Sequence, residues 1–224
     1  MVDDRDNPIV LPEGVTNRTE AGAVEIFENV MTMDTAKKII SAVEQAVINE
    51  KCPTHYQYAT MGENREHGGS YRSNSVLTIK SHDDANGYRC DCELDKAEEY
   101  LKSIFVPCVN FYQYKYSVQV AFDEDFQLLK YGPGREYKEH ADQGPGADQR
   151  IVSGIIYLNP WEYEGGSTYF PNYNLNVNPE LPCIVLFPSN YAYTHRAKAV
   201  LSGTKYAIVT WMWPPWAERP EWLR

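Results

Sequence analysis

Residues 127–142 read Gln-Leu-Leu-Lys-Tyr-Gly-Pro-Gly-Arg-Glu-Tyr-Lys-Glu-His-Ala-Asp, and this stretch decides the fold. Its first part continues from Phe126 as a short apolar-rich run to Lys130 and meets Gly132-Pro133-Gly134, so a strand closed by a turn is expected. Its last part sets His140 two residues before Asp142. On a strand, alternate side chains share a face at a rise of about 3.3 Å per residue, so the pair would project together with Cα atoms about 6–7 Å apart. A second imidazole from a distant strand, His195, would complete a facial set of two nitrogens and one carboxylate oxygen and leave the opposite face open. Such a set suits Fe(II). A closed structural zinc site wants four protein ligands, often thiolates, and no cysteine lies near either histidine. Satisfied loop or core histidines would give the same triplet, so the surrounding sequence has to choose between the readings.

Downstream, apolar runs predict strands over Ile151 to Leu158, Ser167 to Phe170, Cys183 to Phe187 and Tyr206 to Trp213. Gly144-Pro145-Gly146, Gly165-Gly166 and Ser202-Gly203 separate them. Upstream, Val24 to Val30 alternates like a short strand, and Asp34 is placed to cap a helix over Thr35 to Asn49 with Ile39, Ile40, Val43 and Val47 at helical spacing. A second helix is expected from Asp95 to Val109, with Ala97, Leu101, Ile104 and Phe105 as its apolar stripe. Between the helices, Cys52 to Ser75 lacks periodic apolar content and reads as a long loop. Short strands punctuated by glycine after two helices fit an α+β, mainly β chain. The expected fold is a jelly roll, or double-stranded β-helix, with supporting helices packed on one sheet and a metal at its mouth. Residues 1–20 read as a polar arm, 21–213 as one domain and 214–224 as a Trp/Pro-rich tail.

The 127–142 stretch also resembles the prolyl 4-hydroxylase branch of the 2-oxoglutarate-dependent Fe(II) dioxygenases, following the pattern Q-x-x-x-Y-x-x-G-x-x-Y-x-x-H-x-D. Further matches follow in order: Arg150-Ile151-Val152-Ser153, Tyr157-Leu158-Asn159, Gly165 to Pro171, then His195 with Val200, Gly203, Lys205 and Trp211. The resemblance covers residues 24–213 and implies His140, Asp142 and His195 as iron ligands. It implies that Lys205, ten residues after His195, binds the distal carboxylate of 2-oxoglutarate, in a pocket lined by Tyr131, Tyr157 and Thr168. A lysine deep in a barrel needs an anion, because an unpaired buried charge is costly.

The reaction implied is hydroxylation of an unactivated C–H bond with O2, releasing succinate and CO2, with ascorbate as an accessory; Asp142 argues for hydroxylation over halogenation. Tyr137, Arg150 and Trp211, with Glu124 upstream, occupy the places that surround a target proline in the family, implying a proline-containing peptide or protein partner. Tyr71 to Ser75 resembles the segment that closes over the peptide. Ser153 replaces a common threonine, the Phe187 to His195 segment is shorter than in collagen-type enzymes, and Trp213 stands where some relatives have a smaller or basic group. Hydroxylation of another residue or a small metabolite, and a catalytically silent jelly-roll binding module, are the alternatives.

Composition bounds the rest. At 224 residues one core suffices, and seventeen tyrosines with five tryptophans favour strands and cleft walls over a helical bundle. A net charge of −10 argues against a nucleic-acid backbone as partner. Cysteines at 52, 90, 92, 108 and 183 form no stapling pattern. With neither a signal-peptide pattern at Met1 to Asp6 nor a bilayer-length apolar run, a cytoplasmic protein without membrane contact is expected.

Overall fold

The computed structural model of the chain describes residues 9–48, 57–58, 60–61, 66–67, 71–79, 93–145 and 147–218. Cys52, Cys90 and Cys92 lie outside them; Cys108 and Cys183 are free and buried. The helices are α1 (Met33–Ile48) and α2 (Glu93–Tyr116). In chain order the strands begin with β1 (Thr16–Thr19), β2 (Glu25–Glu28), β3 (Gln57–Tyr58), β4 (Thr60–Met61), β5 (Glu66–His67), β6 (Ser75–Ile79), β7 (Phe122–Asp123), β8 (Phe126–Tyr131) and β9 (Tyr137–His140). They continue with β10 (Val152–Tyr157), β11 (Tyr163–Gly165), β12 (Thr168–Phe170), β13 (Leu175–Val177), β14 (Cys183–Pro188), β15 (His195–Ala197), β16 (Val200–Gly203) and β17 (Lys205–Trp213).

All pairings are antiparallel. The large sheet runs β1-β2-β14-β10-β17-β8-β6-β3, with β7 on β17, and faces a four-stranded sheet ordered β13-β12-β15-β9. This is the double-stranded β-helix that the strand pattern predicts.

The central strands read as apolar runs because both of their faces are covered. Val152 and Ile156 of β10, Ile184 and Leu186 of β14, and Ile208 and Met212 of β17 point to the helices, where they meet Ala36, Ile39, Val43, Leu101 and Phe105. Their alternates, Ile155, Tyr157, Val185, Phe187, Val209 and Trp211, fill the space between the sheets. Each fully buried large apolar side chain contributes about 1.5–3 kcal/mol. Packing of α2 on β10 is close enough that a Cβ at Gly154 would stand 2.5 Å from the Phe105 ring.

Several expectations need correction. Helix α1 is capped by Thr32, whose hydroxyl accepts from the Thr35 amide at 3.1 Å; Asp34 sits inside the first turn and pairs with Lys38 at 2.7 Å. Helix α2 runs past Val109 to Tyr116 and holds Pro107 in its interior, a substitution that costs about 3 kcal/mol in an isolated helix. Its buried stripe continues through Cys108, Val109 and Tyr112, and that contact carries the helix across the proline. Within Cys52 to Ser75 the described residues form short strands, β3 on β6 and β4 on β5, and Ser75 already belongs to β6. The rest of that stretch lies outside the described residues.

The N-terminal hairpin is bound to α2 through a charge. Glu25 is fully buried and accepts from Asn17 (2.7 Å), Thr19 (2.9 Å) and Tyr116, with Lys115 at 2.7 Å. Trp213, which ends β17, is buried, while Trp216 in the tail is 72% exposed. No helix among the described residues is long and apolar enough to cross a membrane.

Candidate active site

Strands β9 and β15 pair antiparallel with His140 directly opposite His195, which brings two residues distant in sequence to a ring-centroid separation of 4.4 Å. Strand β9 ends at His140, so Asp142 lies just beyond it in a bend; alternation along one strand does not place it. The carboxylate nevertheless turns back on both rings, with Oδ1 3.5 Å from His140 Nε2 and Oδ2 3.8 Å from His195 Nε2. Among the described residues this is the group of three whose donor atoms lie within 4.8 Å of one another. Donors set at right angles about 2.1 Å from one ion stand about 3 Å apart, so the trio fits a single ion after a small contraction.

The ring nitrogens are already assigned by their partners. His140 Nδ1 donates to Lys138 O (2.7 Å) and His195 Nδ1 to Tyr193 O (3.1 Å), because a carbonyl can only accept. Both Nε2 atoms are left facing Asp142. Burial pushes the His195 imidazole down to about 4, against an upward pull from Asp142, so it is neutral at pH 7 as a ligand must be. Burial would raise the Asp142 carboxyl, but attraction to His195 and His140 and a hydrogen bond from Ser153 override it and hold the group far below the usual carboxylate range. Ser153 is itself backed by Ser189, Oγ to Oγ 2.8 Å.

A cleft that the trio lines together with Tyr131, Thr168 and Lys205 opens over it. Lys205 reaches its floor from β17, 3% exposed, with Nζ donating to Gly166 O at 2.6 Å. Burial drives its ammonium down to about 7, opposed only by Cys183, and no carboxylate among the described residues pairs with it. The rings of Tyr157 and Tyr131 flank the Nζ at 4.8 and 5.5 Å. Tyr157 turns its hydroxyl to Thr168 at 2.5 Å. Tyr131 and Thr168 line the cleft, whereas Tyr157 stands behind Thr168. A buried cation flanked by two phenol rings, with no anion among the described residues, fits a small dicarboxylate.

At the rim Tyr137 lies flat on His140, centroids 3.6 Å apart. Across from it the Arg150 guanidinium covers Trp211 at 3.9 Å. Buried Glu124 grips that guanidinium with both oxygens, 2.5 and 2.6 Å, and also accepts from Trp213 Nε1 at 2.9 Å. Arg150 further donates to Asp142 O at 3.3 Å, so one buried carboxylate fixes a cleft wall and a backbone point beside the trio. Of the residues expected at the site, His140, Asp142, His195, Lys205, Tyr131, Thr168, Tyr137 and Trp211 line one cleft, whereas Tyr157 stands behind Thr168 and Glu124 and Arg150 act from behind the rim. Arg72, inside the Tyr71 to Ser75 segment, bridges to Tyr137, places its guanidinium 4.7 Å from that ring and lines the cleft. Tyr71 O accepts from the Lys138 amide at 2.9 Å and the Tyr71 hydroxyl donates to Glu139 O, so residues 71–73 edge the ligand strand. The resemblance of Tyr71 to Ser75 was the available signal.

The family model of the 2OG-Fe(II) oxygenase superfamily matches residues 126–213, the span that holds the trio and Lys205. A putative prolyl 4-hydroxylase of Acanthamoeba polyphaga mimivirus is 34% identical over 113 residues, covering 41% of this chain and 46% of that protein. Over residues 126–213 the chain is similar to the 2OG-Fe(II) oxygenase superfamily. A further likeness is to a probable prolyl 4-hydroxylase 9 of Arabidopsis thaliana, 28% identical over 179 residues, covering 72% of this chain and 54% of that protein. The chain thus spans about half the length of both relatives. A prolyl hydroxylase of Trichoplax adhaerens, solved with a peptide fragment of the hypoxia inducible factor oxygen degradation domain, shares the fold at a TM-score of 0.65. It is 19% identical, with 86% of this chain and 84% of that one covered.

Proposed function

We propose that the chain is an Fe(II)/2-oxoglutarate-dependent dioxygenase that hydroxylates a prolyl residue, at C4, in a peptide or protein. One observation carries this reading: two imidazoles and a carboxylate share a cleft with a buried lysine that no carboxylate among the described residues neutralises. His140, Asp142 and His195 would hold the iron, and Lys205 the far carboxylate of 2-oxoglutarate. When bound, the iron and 2-oxoglutarate supply the oxidising power, consuming O2 and releasing succinate and CO2.

The chain itself contributes position and dryness. Leu129, Ile155 and Val209 make the cleft floor apolar, which excludes water around Lys205. Tyr157 and Thr168 carry two hydroxyl protons, and one is used between them, so the other is available to an incoming carboxylate oxygen. Asp142 stays ionised through the neutral range and takes no proton from a substrate.

The prolyl substrate rests on the relatives named above and on the rim. Tyr137 and Trp211 present aromatic faces suited to an uncharged pyrrolidine ring. Arg150 has five N–H donors, of which Nε, one on Nη1 and one on Nη2 are engaged; the others can reach a peptide carbonyl. Residues 21–213 are the proposed catalytic unit, acting in the cytoplasm.

The test is succinate release by purified protein given Fe(II), ascorbate and 2-oxoglutarate, with and without proline-rich peptides, beside His140→Ala. Peptide-stimulated, His140-dependent turnover with oxygen located on proline by mass spectrometry is the expected result. Turnover without stimulation would reject the substrate, and a protein that binds neither Fe(II) nor 2-oxoglutarate would reject the chemistry.

A further inference from the structure

Tyr193 precedes His195 by two residues, and its surroundings account for more than a packed ring. The 3₁₀ turn Tyr191–Tyr193 starts at Asn190, whose side chain accepts from the Ala192 amide at 3.0 Å. Its carbonyls are then satisfied one after another. Tyr191 O accepts from the Thr194 hydroxyl at 2.7 Å, and Ala192 O from the Asn172 side chain at 3.0 Å. Tyr193 O is left for His195 Nδ1, at 3.1 Å.

The other end of the same residue is anchored far away in sequence. The Tyr193 phenol oxygen accepts from the Ala23 amide at 2.9 Å, and its ring stacks on Tyr173 with centroids 5.0 Å apart. Gly22 makes room for that approach: it sits at φ 64°, and a Cβ there would stand 2.7 Å from the Tyr193 hydroxyl oxygen. Tyr112 of α2 donates to Ala23 O at 2.9 Å and ties the corner to the helix without touching Tyr193's bond. The Nδ1 partner of His140, Lys138 O, lies in β9, where the Lys138 amide in turn donates to Tyr71 O at 2.9 Å, so the two histidines are held from different segments.

We propose that Tyr193 is a positioning residue: its phenol, locked on the Gly22–Ala23 corner, fixes the carbonyl that holds His195 Nδ1–H and thereby aims Nε2 at the metal position. This rests on reading His140, Asp142 and His195 as a metal site. Partners of this kind, one step behind a ligand, change metal affinity about 10–100-fold when removed.

The experiment compares wild type, Tyr193→Phe, Gly22→Ala and Tyr112→Phe by Mn(II) titration followed by electron paramagnetic resonance. Long-range ¹H–¹⁵N spectra of the imidazoles in the metal-free proteins supply a second reading. Tyr193→Phe should weaken Mn(II) about tenfold and mix the His195 tautomers, and Gly22→Ala should reproduce both effects by pushing on the phenol. Tyr112→Phe should stay within about twofold of wild type, since it loosens the corner's outer attachment alone. Unchanged Mn(II) affinity and unchanged His195 signals in folded Tyr193→Phe would overturn the proposal, as would an equal loss in Tyr112→Phe. If wild type binds no Mn(II) while Tyr193→Phe still alters the His195 tautomer, the clamp stands and the metal reading falls.

Discussion

Strand β17 buries eight of its nine residues, whereas β9, four residues long, buries none. Both contribute to one cleft: β17 brings Lys205 and Trp211, and β9 brings His140. The first strand lies mid-sheet under two helices, so its side chains are fixed by packing on both faces. The second is the edge of a four-stranded sheet and is held mainly by β15 and by residues 71–73. Stability is therefore concentrated in one wall and the proposed metal ligands in the other, where polar side chains would reorganise around an ion without disturbing the core.

The comparison can be broken most directly at His195. His195→Ala removes a donor while leaving the large sheet intact, so 2-oxoglutarate turnover should fall about a thousandfold with the melting temperature nearly unchanged. A comparable loss of melting temperature would show that the ligand strands carry stability after all. Gly154→Ala makes the converse change. Its methyl would meet Phe105 at 2.5 Å, on the face of β10 turned away from the trio's ring atoms. Overpacking should cost about 1–3 kcal/mol in urea unfolding while Mn(II) affinity is retained.

The smallest effect sharpens the picture of the stable wall. Burial sets Lys205 near about 7. Below that pH the empty site is cationic and a dicarboxylate binds without exchanging protons; above it the lysine is neutral and binding must take up a proton. Affinity for 2-oxoglutarate should then fall about tenfold per pH unit above pH 7, until the raised pKa of the paired lysine is passed. Calorimetry in two buffers of different ionisation enthalpy reads the proton directly. A flat profile between about pH 6 and about pH 9 would separate Lys205 from the carboxylate.

The same contrast explains what the sequence revealed. Strands β10, β14 and β17 lie within one or two residues of their expected bounds because burial on both faces writes an apolar run into the chain, and β8 and β12 do so by alternating buried with partly exposed residues. Strand β9 reads Tyr-Lys-Glu-His and β15 His-Arg-Ala, with no such run; only the ligand types mark them. The spacing of His140 and Asp142 suggested a shared strand face, yet Asp142 reaches the site through a bend after the strand ends. The cap of α1 fell on Thr32 because its hydroxyl is three residues before the amide it accepts from. Arg72, Ser189 and Tyr193 act through tertiary contacts with residues 36 to 170 positions away, a distance that local pattern does not encode.

Lys205 has one more consequence. A folded chain that buries a cation without a counter-ion is less stable empty than filled, so any anion that pairs with it shifts the folding equilibrium by mass action. At a hundred times its Kd such a ligand adds about 2.7 kcal/mol, a large part of the reserve of a typical domain. The amount of this protein that survives proteolysis in a cell would then follow the supply of whatever anion pairs with Lys205.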